Sequence, residues 1–202
     1  METNIERYSL DKTAVAMQQP LSCGFFVLYG PQAATPQLLQ LCAKLALKNA
    51  VRILDCGNRS DMHLVARELR EITRDPAAAM LNIRLSRAFT CYQTEALLSE
   101  SRSLENMPIL ILDLLTTFFD ESVQKKEAER LFGNVLDHIQ KISRKNPVFV
   151  GVKPIPELAA DRVDLMYQLK EAADQFQQLQ NTAQNTENEK YQQLPLFDSN
   201  PK

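Results

Sequence analysis

Phe25-Phe26-Val27-Leu28-Tyr29-Gly30-Pro31 is five apolar residues ended by two turn formers. The run is too short for a buried helix and does not alternate, which predicts a strand covered on both faces, as in a parallel sheet between helices. Downstream the pattern repeats. Leu38, Leu39, Leu41, Cys42, Leu45 and Ala46 have helical spacing, residues 51–54 form a second apolar run, and Leu64, Val65, Leu69 and Ile72 give a second helix. A strand over 83–89 follows, then Thr90-Cys91-Tyr92-Gln93, a Thr-x-x-Gln capping box that opens a helix through Leu97 and Leu98. Ile109-Leu110-Ile111-Leu112 is another buried strand. Ala128, Leu131, Phe132, Val135, Leu136, Ile139 and Ile142 mark an amphipathic helix, with Lys141, Arg144 and Lys145 at its negative end. Residues 148–152 form the last apolar run, closed by Pro154 and Pro156. Strands alternating with helices predict an α/β domain built on a parallel sheet.

From Glu157 the positions of Leu158, Leu165, Leu169, Ala172, Phe176 and Leu179 predict one long helix over 157–180. It is expected to pack on its own sheet, with a coiled-coil or partner-binding seam as the other reading. Residues 181–192 are Asn, Gln, Thr, Glu, Lys and Ala with one Tyr, too polar for a core, which predicts a disordered tail over 181–202. The chain thus divides into an α/β domain over 1–156, a helix over 157–180 and the tail.

Composition narrows the function. The 202 residues and 45% hydrophobic content suit one domain with a substantial core, and the formal charge of −2 argues against bare nucleic acid as the main partner. Any DNA connection is therefore indirect or weak. Residues 1–12 mix charges without an apolar segment, and no run is long enough to span a membrane, so a cytoplasmic location is expected. Cys23, Cys42, Cys56 and Cys91 have no close spacing and lie in or beside apolar segments, which predicts buried free thiols. With two histidines and no Cys-x-x-Cys, no metal site is expected.

Arg87-Ala88-Phe89-Thr90-x-Tyr92-Gln93, with Leu97 and Leu98 after it, resembles a segment of RecA/RadA-type recombinases. Leu110-Ile111-Leu112-Asp113-Leu114-Leu115-Thr116 resembles their Walker B strand and the turn after it. The similarity covers roughly residues 25–152 and implies a RecA-like, P-loop-type parallel sheet flanked by helices. The turn after the first strand should then be the P-loop, G-x-x-x-x-G-K-[ST], but it reads Gly30-Pro31-Gln32-Ala33-Ala34-Thr35-Pro36-Gln37. Pro36 stands where the phosphate-gripping lysine belongs, Thr35 replaces the second glycine, and Gln37 replaces the magnesium-binding hydroxyl.

Thr35-Pro36 still predicts a helix start, an N-cap hydroxyl followed by proline at the first helical position. Asp113 matches the Walker B aspartate, while the glutamate expected past the second strand falls near Gly57. Gly30, Thr35, Pro36, Gln37 and Asp113 are therefore read as a vestigial nucleotide site, with Asp113 serving as a strand-end cap or turn acceptor and Arg87 as a half-exposed strand residue. No catalytic residue and no cofactor is expected. The segments 120–126 and 152–154 lack the interleaved basic and aromatic residues that hold single-stranded DNA.

Gln193-Leu194-Pro195-Leu196-Phe197 is an apolar plug at the tip of the polar tail. It resembles the peptide by which bacterial polymerases and repair proteins dock on the β sliding clamp. That resemblance implies that Leu194, Leu196 and Phe197 enter an apolar clamp pocket, with Gln193 making polar contacts beside it. Pro195 suits an extended bound peptide. The competing reading is that residues 194–197 fold back on an apolar groove of the same chain. Together the two resemblances imply a non-catalytic RecA-like adaptor in bacterial DNA repair, recombination or translesion synthesis. The alternatives are a degenerate RecA-family ATPase and a heteromeric partner of an active recombinase or an error-prone polymerase.

Overall fold

The computed structural model describes residues 22–179, so residues 193–197 lie outside the described residues. Six strands, β1 (Gly24–Tyr29), β2 (Val51–Asp55), β3 (Ile83–Arg87), β4 (Ile109–Leu112), β5 (Pro147–Val152) and β6 (Gln175–Gln178), form one sheet in the order β3-β2-β4-β5-β1-β6. Every pairing is parallel. Helices α1 (Thr35–Ala46), α2 (Met62–Ile72), α3 (Pro76–Leu81), α4 (Cys91–Ser101), α5 (Lys125–Ser143) and α6 (Val163–Ala172) connect the strands.

The order explains why the strands read as continuous apolar runs. From β1 through β2 to β3 the chain moves toward one edge of the sheet, and from β3 through β4 and β5 to β6 it moves back. Right-handed crossovers put the helices of those two legs on opposite faces. The core accordingly has two layers. Leu28, Val51, Ile53, Leu110 and Leu112 pack with Leu38, Val65, Leu69 and Ala79 of the first three helices. Val27, Leu54, Ile109, Ile111 and Val150 pack with Leu98, Phe132, Val135 and Leu165 of the last three. Neighbouring strands send the chain to opposite faces at β1 and β5, and again at β2 and β4, which opens crevices at their carboxyl ends.

Two expectations change. The single helix over 157–180 does not form: a 3-10 segment (Glu157–Arg162) leads into α6, and the chain then turns into β6. Pairing the outer edge of β1 explains the change, because an unpaired edge would leave a row of backbone groups without partners. Asp174 makes the junction. Its carboxylate accepts from Phe25 N–H at 2.7 Å, its own N–H donates to the Phe25 carbonyl at 2.9 Å, and Phe176 then stacks on Tyr29. Leu158, read as part of the apolar seam, is 86% exposed. Among the cysteines, Cys42, Cys56 and Cys91 are buried as expected, but Cys23 is exposed. Among the described residues no helix is long and apolar enough to cross a membrane.

Thr90 caps α4 as its spacing predicts, accepting from Gln93 N–H at 3.2 Å. The Gln93 side chain accepts from Phe89 N–H, one residue earlier than a regular capping box requires.

Candidate functional site

The turn after β1 occupies the crevice between β1 and β5. Gln32, Ala33 and Ala34 have φ values of 52°, 56° and 52°, a left-handed turn made without glycine. Such residues cost about 1–2 kcal/mol each, which must be offset by packing. Ala33 and Ala34 are fully buried, and the Ala33 carbonyl lies so close over Gly151 that a Cβ there would come within 2.1 Å of its oxygen. Two backbone N–H groups of the turn are paired within the protein: Gly30 N–H donates to the Val152 carbonyl and Ala33 N–H to the Gly30 carbonyl. At the same edge Leu179 N–H donates to the Tyr29 carbonyl.

Thr35 does not act as the N-cap. Ala34, already left-handed, holds the cap position, so Thr35 enters with helical φ and ψ and its buried hydroxyl has no hydrogen-bond partner among the described residues. Pro36 lies in the first turn of α1, and Gln37 is exposed.

The crevice between β2 and β4 holds charge. Asp55 ends β2 and Asp113 follows β4, and both are fully buried. Asp55 accepts from Arg59 N–H at 2.8 Å, from Ser60 N–H at 2.9 Å and from the Ser60 hydroxyl at 2.6 Å. Arg87, directly opposite Asp55 on β3, places Nε 3.5 Å from its carboxylate and donates to the Ser60 hydroxyl. Burial pushes the Asp55 carboxyl up, but the Ser60 hydroxyl and the N–H groups of Arg59, Ser60 and Gly57 together hold it below its ordinary value.

Asp113 sits at φ 53° and its side chain makes no cap. Oδ2 instead accepts from Lys153 Nζ at 3.0 Å and from Arg59 Nε at 3.2 Å, while Oδ1 is buried without a partner. Its carbonyl does accept from Thr116 N–H, so the expected turn role falls to the backbone. Gly57 presses on it, since a Cβ there would stand 2.5 Å from Asp113 Cβ. A glutamate at that position has no room. Among the described residues Asp113's partners are Arg59 and Lys153, and none comes from Gly30, Thr35, Pro36 or Gln37.

Beside this network lies a groove of about 350 Å3 lined by Cys56, Gly57, Asn58, Ala88, Phe89, Thr116, Thr117, Phe119 and Asp120. Its floor is inert. Burial, the largest influence, pushes the Cys56 thiol up to about 12, so it stays protonated at neutral pH. Phe89, one of the lining residues, is 69% exposed. Among the described residues no group of three His, Cys, Asp or Glu side chains could hold a metal ion.

Arg59 and Lys153 are not singled out by the sequence. Their signals were weak: an arginine four residues past a strand-end aspartate, and a lysine immediately after the last apolar run. No known protein family matches the chain, and no curated protein does.

Proposed function

We propose that the chain is a non-catalytic adaptor of bacterial DNA repair, recombination or translesion synthesis, built on a RecA-like body and brought to the β sliding clamp by residues 193–197. The observation that carries the body's half of this reading is the left-handed turn Gln32–Ala33–Ala34, in which Ala33 and Ala34 are buried. A phosphate cradle needs backbone N–H groups aimed outward and a lysine, whereas Ala33 N–H is spent on Gly30 and Pro36 contributes neither. Asp113, the one residue matching a magnesium-handling aspartate, already has two protein cations against it. A metal ion on Oδ2 would compete with Lys153 and Arg59 for that oxygen.

The RecA-like assignment is supported by the all-parallel sheet, by the turn at the carboxyl end of β1, and by Asp113 at the carboxyl end of β4 on the same edge. The tail's half rests on its spelling and its polar tether. Burying Leu194, Leu196 and Phe197 gains roughly 5–8 kcal/mol before ordering costs, which suits a weak, exchangeable, micromolar contact. The setting is cytoplasmic, with DNA reached through the clamp and any recombinase or translesion polymerase bound by the body.

Isothermal titration with magnesium ATP tests the body. No saturable binding at millimolar nucleotide is expected, and magnesium-dependent saturation would overturn the non-catalytic reading in favour of a degenerate ATPase.

A further inference from the structure

The groove at the carboxyl ends of β2, β3 and β4 has no occupant among the described residues, and the same edge of the sheet is where the described chain ends. We infer that the groove is a second seat for the chain's own residues 193–197, so that the tail is held on the body until the clamp takes it. The switching part of this inference rests on the clamp reading; the seat itself does not.

Geometry sets the span. Leu179 is bonded to Tyr29 at the carboxyl edge of β1, beside the end of β6, while Cys56, Gly57 and Asn58 of the groove follow β2, four strands along the sheet. At about 4.8 Å per strand this is roughly 19 Å. The tether from Gln180 to Gln192 is polar, and a flexible chain of that length has an r.m.s. reach of about 20 Å. A tether whose reach equals the span gives the highest effective concentration, on the order of millimolar.

Chemistry fits the peptide to the groove. The exposed Phe89 and half-buried Phe119, over the buried Ala88 and Cys56, offer an apolar surface to Leu194, Leu196 and Phe197, and a volume near 350 Å3 is at the small end of ligand pockets, suited to a few side chains. Asp120 lines the groove, and Lys190 stands three residues ahead of Gln193. A seat with a dissociation constant of about 0.1 mM, at millimolar effective concentration, would be about nine-tenths occupied and would weaken clamp binding about tenfold.

Two titrations test this. In the first, a labelled peptide of residues 191–202 is titrated onto the full-length chain carrying Leu196→Ala and Phe197→Ala, which vacates the internal seat. Saturable binding near 0.1 mM is expected, lost when Phe89→Glu is added; because Phe89 is largely exposed, an unchanged urea midpoint serves as the folding control. Absence of saturation, or saturation indifferent to Phe89→Glu, overturns the seat. In the second, full-length Phe89→Glu is expected to bind the β clamp about tenfold tighter than the unsubstituted chain, and equal affinities overturn the switch. A peptide that binds the body but not the clamp removes the clamp reading and leaves the seat standing.

Discussion

Lys153 Nζ stands 3.0 Å from Asp113 Oδ2, on a carboxylate only 1% exposed. The lysine follows β5 and the aspartate follows β4, so adjacent strands bring the two charges together at the carboxyl edge of the sheet. Removing the ammonium leaves the buried carboxylate with Arg59 alone. Lys153→Met is expected to destabilise the protein by about 1–3 kcal/mol, and by less when Asp113→Asn is already present, as a double-mutant cycle in urea would show.

Gly57 and Gly133 make a matched pair. A methyl at Gly57 would meet Asp113 Cβ at 2.5 Å, whereas one at Gly133, on the exposed side of α5, meets nothing within 4 Å. Gly57→Ala should cost about 1–3 kcal/mol, and Gly133→Ala should add about 0.5–1 kcal/mol by removing a helix-interior glycine. Thermal melts of the two variants should move in opposite directions.

Asp55 sets a pH dependence. Its carboxyl lies below its ordinary 3.8 in the folded state, so the unfolded chain takes up the proton first as the pH falls. The stabilisation is complete above the unfolded value of about 4 and is lost as the pH drops through the lower folded value. The unsubstituted protein should therefore lose stability more steeply below about pH 4 than Asp55→Asn does, measured by urea midpoints across that range.

Thr90 holds the start of α4 through Gln93 N–H. Thr90→Ala should cost about 1 kcal/mol, and Thr90→Ser or Thr90→Asp should restore most of it, since each supplies a capping oxygen. Chemical denaturation of the three variants checks the order.

The central strands were legible because both faces are covered: β1, β4 and β5 are nearly unbroken apolar runs. β6 was not, because Gln175 to Gln178 join the sheet through their backbones at an edge where the side chains stay largely exposed. Phe176 and Leu179 happened to continue a helical spacing that α6 abandons after Ala172. At the site, Asp113 was recognisable from its place after an apolar strand. Its partners Arg59 and Lys153 lie 54 and 40 residues away along the chain, brought close only by the strand order, so no local pattern announces them. Thr35 misled for a related reason: the left-handed residues before it move the cap to Ala34.

The most direct test of the adaptor reading is fluorescence anisotropy of a labelled peptide of residues 191–202 titrated with a bacterial β sliding clamp, beside the same peptide carrying Leu196→Ala and Phe197→Ala. Saturable binding in the micromolar range, abolished by the double substitution, is expected. No saturation, or binding that survives the substitutions, would contradict it.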